Sequence, residues 1–387
     1  MLFIKNGYIL TMAGDIIEGG SILIKDGKIA EVGKDIVAPL DAEIIDADGK
    51  MVLPGFIDAH CHIGMWEEGM GFEGSDGNEW VDPITPQLRA IDAINPMDEA
   101  FHEAYMGGVT TAVTGPGSAN VIGGMFVAIK TYGKRVDDMI IKDPVAMKIA
   151  FGENPKTVYE SQKRSPITRM ANAAMLRETL FKAEAYGEKK EKGKEDPEKM
   201  PEYDMKMEAL LKVLNKEIPL KAHAHRADDI FTALRIAKEF DVDITLDHCT
   251  EGHLIADELA KENKGAIVGP TLSNRSKIEL KNLTFDTPKV LNQAGIKIAI
   301  MTDSPVIPLH YLPLCAGLAV KSGLDEMEAL KAITINAAEI VGIDDKVGSI
   351  EVGKDADVVI YDGNPIKDIG CKTVVTIING EVVYKAK

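Results

Sequence analysis

The sequence predicts an α/β protein: a TIM-like (β/α)8 barrel carrying a small β-sandwich domain assembled from both termini. Three observations lead there. Both ends of the chain read as short strands separated by Asn-Gly and Asp-Gly turns. The middle alternates apolar strand-like runs with helical patterns. Histidines and an aspartate recur at the ends of those runs, in the order the strands occur.

Residues 1–52 form the N-terminal part of the small domain. The stretches FIKNGYILTM, SILIKDGKIAEVG and AEIIDADGK carry apolar runs broken by hairpin-turn dipeptides. The last residues, 346–387, have the same texture in GSIEVGKDADVVIYDG and TVVTIINGEVVYK. Neither piece is long enough to bury a core alone, so the two are expected to pair.

Residues 53–345 hold the barrel. Its candidate strands are 55–62, 109–114, 125–131, 145–151, 219–224, 243–248, 266–269 and 296–301. Helical patterns separate several of them. Within 227–240, Ile230, Ala233, Leu234 and Ala237 recur at helical spacing. Strands alternating with helices argue for a parallel sheet, and eight of them for a closed barrel. An open doubly wound sheet is the structural rival, but no GxGxxG follows a first strand. The charged segment 184–204 reads as a solvated helix extension or a mobile loop. The Gly- and acid-rich segment 66–86 reads as a loop shaping a pocket at the barrel rim.

Charge and composition exclude several classes. A formal net charge of -17 repels phosphate backbones, so nucleic acid is not an expected partner. No apolar run reaches the ~20 residues that span a bilayer, so no membrane partner is expected either. Lys5 and Asn6 interrupt the first apolar run, and Cys61, Cys249, Cys315 and Cys371 form no CxxC. A reducing cytoplasm is therefore the expected compartment. A small-molecule substrate is expected, and homo-oligomerisation stays open. Cys61 and Cys249 adjoin histidines of interest, but strand alternation turns Cys61 away from His60 and His62. Both cysteines read as small buried apolar side chains.

The chemistry gathers at strand ends. In MVLPGFIDAHCHIG, His60 and His62 close the first barrel strand and project from one face, as paired metal ligands do. His223 and His225 end the fifth strand in PLKAHAHRADD, His248 the sixth in ITLDHCTEG, and Asp303 follows the eighth in IKIAIMTDSP. Each alone could be an ordinary core or capping residue. Together they fall on the rim where barrel enzymes place catalysis.

This pattern resembles the amidohydrolase superfamily, and within it the imidazolonepropionase-related group. The resemblance rests on PGFIDAHCH, on His223, His248 and Asp303 in strand order, on KDADVVIYDGNP near the end, and on GSANVIGG and MKIAFGENPK. It implies one or two divalent metals held by His60, His62, His223, His248 and Asp303. Zinc is the default ion, with iron, manganese and nickel also compatible. A fourth-strand ligand is implied as well, either a carboxylated Lys148 or Glu153. Lys148 sits inside an apolar run, where an unmodified ammonium is costly. Glu153 follows the strand end and needs no modification.

The expected reaction is hydrolysis of a C–N bond in a cyclic amide or related amide. Asp303 is the expected proton shuttle, and His248 would polarise the electrophile in a one-metal site. Asn120, His225 and Arg226 are the expected substrate-binding residues, Arg226 as a fork for a carboxylate. A ring aminohydrolase and a metallo-dipeptidase are the alternatives. A metal-retaining scaffold is the non-enzymatic one, though it has no need of a proton shuttle.

Overall fold

The strands of the chain fall into two sheets, and the chain first passes from one to the other at Pro54-Gly55. In the computed structural model, which describes residues 1–387, the terminal sheet comprises β1 (Leu2–Leu10), β2 (Ile16–Lys25), β3 (Lys28–Gly33), β4 (Glu43–Asp46) and β5 (Met51–Pro54). The barrel follows with β6 (Phe56–Cys61), β7 (Val109–Thr114), β8 (Ile122–Lys130), β9 (Ile140–Ala150), β10 (Leu220–Ala224), β11 (Ile244–His248), β12 (Ala266–Val268) and β13 (Ile298–Ile300). The chain then returns to the first sheet as β14 (Val358–Tyr361), β15 (Thr373–Ile378) and β16 (Glu381–Lys385).

The two termini join where β14 pairs antiparallel with β5. The expected sandwich takes the form of one eight-stranded sheet, with a core of its own built from residues such as Ile4, Ile22, Ile24, Val358 and Ile377. A buried ammonium fastens this sheet to the barrel. Lys130 at the end of β8 reaches Asp355 at 2.8 Å and Asp357 at 2.6 Å, and Lys28 also contacts Asp355. Gly55 makes the close junction feasible, because a Cβ there would lie 2.0 Å from the Thr110 hydroxyl oxygen.

The barrel strands are almost wholly buried, since helices and loops cover their outer faces while side chains fill the inside. They hydrogen-bond in sequence order from β6 to β13. Asp58 closes the ring from inside: its carboxylate accepts from the Thr302 backbone at 2.9 Å and hydroxyl at 2.6 Å. The His62 amide donates to the Ser304 carbonyl at 2.8 Å.

One strand departs from the expected all-parallel order. The third barrel strand, β8, runs antiparallel to both β7 and β9. The reason is chain length. Only residues 115–121 connect β7 to β8, and a parallel crossover needs about a dozen residues or more. This reversal brings the start of β8, rather than its end, to the rim that holds the histidines.

The charged 184–204 segment continues a 27-residue helix, Arg169–Glu195, capped by Thr168, as far as Glu195, and leaves it through the short turn Pro197–Lys199. Glu208 ties down its far end by accepting from Tyr186 and Lys190, each at 2.6 Å. No helix is long and apolar enough to cross a membrane.

Candidate metal centre

Strand alternation aims His60 and His62 from β6 and its edge into the barrel mouth, and the loop after β13 brings Asp303 over them. Asp303 Oδ1 lies 3.4 Å from His60 Nε2 and 3.2 Å from His62 Nε2. The far nitrogens are already committed. His60 Nδ1 donates to Asp247 at 2.6 Å, and His62 Nδ1 donates to the Gly115 carbonyl at 2.6 Å. Both Nε2 atoms therefore present lone pairs. Three acceptors face one another around one point; Lys148 Nζ lies 3.2 Å from His60 Nε2, and Asp303 Oδ1 has no donor. A cation is what such a donor set fits.

A second group adjoins the first. One nitrogen from each of His223, His225 and His248 lies within 4.8 Å of the others. His248 donates through Nδ1 to the Gly269 carbonyl at 2.9 Å, which leaves its buried Nε2 without a partner. His225 Nδ1 contacts the Thr250 hydroxyl at 2.8 Å, leaving Nε2 toward the cluster. The rings of His60 and His248 are 5.3 Å apart, so the two groups share one mouth.

Burial pushes His60 down to about 4 and His225 to about 3, and holds His223 and His248 well below the ordinary imidazole range. All four imidazoles are neutral at pH 7, the form in which a metal could be held. The Asp247 carboxyl is pushed up by burial, but Lys221 at 3.1 Å and His60 outweigh this and hold it below the usual range.

These shifts predict how the metal-free protein responds to acid. An imidazole with a lower pKa in the folded state stabilises the fold fully above its unfolded value of 6.5, and loses that contribution as pH falls toward 4. Burial lifts the Asp58 carboxyl to about 7, which acts in the opposite sense. Burial raises the carboxyls of Asp98, Asp229 and Glu279 as well, but His223 and His248, held well below the ordinary range, add to His60 and His225 and set the sign. Urea denaturation of the chelated protein should therefore show a loss of roughly several kcal/mol between pH 7.5 and 5. Unchanged stability across that window would contradict the buried, neutral state of the cluster.

The remaining expected residues divide between the mouth and its surroundings. His225 belongs to the histidine cluster beside His223, because residues 221, 223 and 225 share one face of the extended chain. Asn120 does not reach the mouth: its amide donates to the Glu79 and Asp82 carbonyls at 2.7 and 2.6 Å and pins the 66–86 loop. Arg226 is engaged by Asp228 through two bonds, at 2.9 and 2.8 Å, at the start of the helix Ala227–Glu239. Glu153 follows Gly152, whose φ is 83°, and begins the helix Glu153–Ser161, with its buried Oε2 left without a hydrogen-bond partner. Its amide donates to Glu279 at 3.0 Å.

Lys148, by contrast, is fully buried on β9 with Nζ 3.2 Å from His60 Nε2. It has no carboxylate within salt-bridge distance, and burial pushes its ammonium down to about 8.

The sequence reading missed Asp247, Lys221 and Glu279. Period-two alternation could have found the first two, since Lys221 precedes His223 by two and Asp247 pairs with it across β10 and β11. Glu279 lies in the short 3-10 turn Ile278–Leu280 and carries no sequence signal. It is buried, with Oε1 3.7 Å from His225 Nε2 and 4.0 Å from His223 Nε2. A cavity of about 530 Å³ opens over the centre, bounded by Trp66, Asn154, Lys277 and Asp303 among others.

A barrel rim that converges neutral imidazoles and a carboxylate under a polar cavity could hold a metal where barrel enzymes place their chemistry. The chain belongs to the amidohydrolase family, whose model, described as "Amidohydrolase family", matches residues 51–383. It is 30% identical to the amidohydrolase tasK of Hapsidospora irregularis over 94% of its length, and spans 40% of that longer relative. It is 26% identical to an imidazolonepropionase of Symbiobacterium thermophilum, covering 93% of this chain and 90% of that one. An amidohydrolase structure from Thermotoga maritima MSB8 superposes with a TM-score of 0.97 at 44% identity, over 100% of both chains.

Proposed function

We propose that this amidohydrolase cleaves a C–N bond in a cyclic amide or a closely related amide. His60, His62 and Asp303 would hold one divalent cation and His223, His225 and His248 a second, with zinc the first choice for so many imidazoles. Bound there, such a cation supplies an acidified water, with its pKa lowered from 15.7 to about 7, and an electrophilic site for the carbonyl oxygen. Asp303 takes the proton of the attacking water and delivers it to the leaving nitrogen. Asp247 holds His60 in the tautomer that keeps Nε2 free, and Lys221 keeps Asp247 charged.

Lys148 is the reading for the ligand between the two groups. Its buried amine, with a depressed pKa, has the neutral fraction needed to attack carbon dioxide. A new N–C bond forms, a proton leaves, and the resulting carbamate is a carboxylate in the right place. Four free cysteines fit a reducing compartment, and the cytoplasm is the proposed one.

The convergence of three unprotonated acceptors at Asp303 carries this reading. Metal analysis together with a panel of hydantoins, imidazolones and lactams tests it. One to two transition-metal ions per chain are expected, with hydrolysis of at least one ring that a chelator abolishes. Ammonia release in place of ring opening would favour an aminohydrolase. A chain that holds no transition metal after reconstitution would end the proposal.

A further inference from the structure

The cavity above the histidines is polar, and its charge is unevenly placed. Asp303 is the one carboxylate among the residues that bound it, and Lys277 is the one lysine or arginine. In a chain of net charge -17, a single ammonium facing a cavity of this kind invites a function.

Lys277 lies in the loop after β12 and is about one-third exposed. Its Nζ donates to Asn154 Oδ1 at 2.6 Å, and this is its one hydrogen bond. The nearest carboxylate oxygen, Glu279 Oε1, is 3.9 Å away, beyond hydrogen-bond reach. An ammonium has three donors, so two remain available. Asn154 links this charge to the centre. Its amide nitrogen donates to Ser118 Oγ at 2.6 Å and lies 3.5 Å from His223 Nε2. The ammonium is thus one side chain removed from the ligating histidines.

We infer that Lys277, oriented by Asn154, is a specificity-determining residue that selects substrates carrying a carboxylate only a few covalent bonds from the scissile C–N bond. Rings with a carboxylate at or next to the amide-bearing carbon fit this description, and so do N-acyl α-amino acids. A substrate whose anionic group hangs on a long flexible chain would overshoot the short reach between Lys277 and His223. The inference rests on the proposed C–N hydrolase reading, which leaves open what the substrate carries. It also moves anion recognition from Arg226, which Asp228 occupies, to a residue that bounds the cavity.

Calorimetric binding to the metal-loaded full chain tests it without requiring turnover. Three matched pairs serve as probes: 5-oxoproline, hydantoin-5-acetate and N-acetylglycine, each against its carboxamide. At least one acid should bind about tenfold or more tighter than its amide. Lys277→Gln keeps a hydrogen-bonding group without the charge and should bring that ratio to within about twofold. Lys277→Arg should preserve it, and rising salt should reduce it in the native chain. A merely structural lysine would weaken acid and amide alike and leave the ratio unmoved. Equal binding in all three pairs, or a preference that survives in Lys277→Gln, would overturn the inference. Turnover is scored separately. Acid preference without hydrolysis of any ring would sink the hydrolase reading and leave the Lys277 subsite standing, whereas hydrolysis without acid preference would do the reverse.

Discussion

Asp303→Asn should lower turnover by about three orders of magnitude, within the range for losing a positioned acid–base group. The substitution is nearly isosteric. The amide oxygen can still face His60 and His62, whose outward nitrogens remain held by Asp247 and Gly115. Metal content should therefore fall little. What the variant loses is the ability to take a proton from water and pass it to nitrogen. The loss should appear in kcat more than in KM, because the carboxylate acts on the reacting atoms. Kinetics on whichever ring the panel identifies, alongside metal analysis of the same preparation, gives the answer. Activity within tenfold of the native chain would refute the shuttle, and loss of all metal would recast Asp303 as a ligand first.

Lys148→Ala should be as damaging by another route. Lys148 lies next to His60 on the inner wall of β9, with no carboxylate within salt-bridge distance. Deleting it should remove about one equivalent of metal and lower turnover by about a hundredfold or more. Packing alone could cost roughly 2–5 kcal/mol of stability, so Lys148→Met serves as the control that fills the space. Reconstitution of the metal-free native chain with carbon-13 bicarbonate should yield a carbamate resonance that both variants lack. Lys148→Met holding two ions with full activity would refute the ligand role, and so would reconstitution indifferent to bicarbonate.

Particular residues show how far the chain alone could be read. Local rules sufficed wherever a feature repeats with the period of its own element. The alternation of PGFIDAHCHIG put His60 and His62 on one face, and the same period put His223 and His225 together, though their shared role was not drawn from it. Turn dipeptides marked both halves of the terminal sheet. Helical spacing found the buried face of Ala227–Glu239, with Ile230, Ala233, Leu234 and Ala237 inside. The reversal of β8 was also legible, in the seven residues 115–121 that are too few for a crossover, but strand counting alone passed over it.

Sequence by itself determined the class of fold, the rim on which chemistry gathers and most of the groups that gather there, because strand and helix periodicities are properties of adjacent residues. Tertiary structure alone decided the rest. By alternation His248 should point opposite to Asp247, yet both are engaged at the centre; the left-handed turn at His248 and Cys249, with φ of 73° and 50°, swings the imidazole back, a conformation non-glycine residues hold only when their surroundings impose it. The burial of Lys148 beside His60, the arrival of Glu279 beside His225 and the placing of Lys277 over the cavity depend on which strands and loops become neighbours, and no local period encodes that.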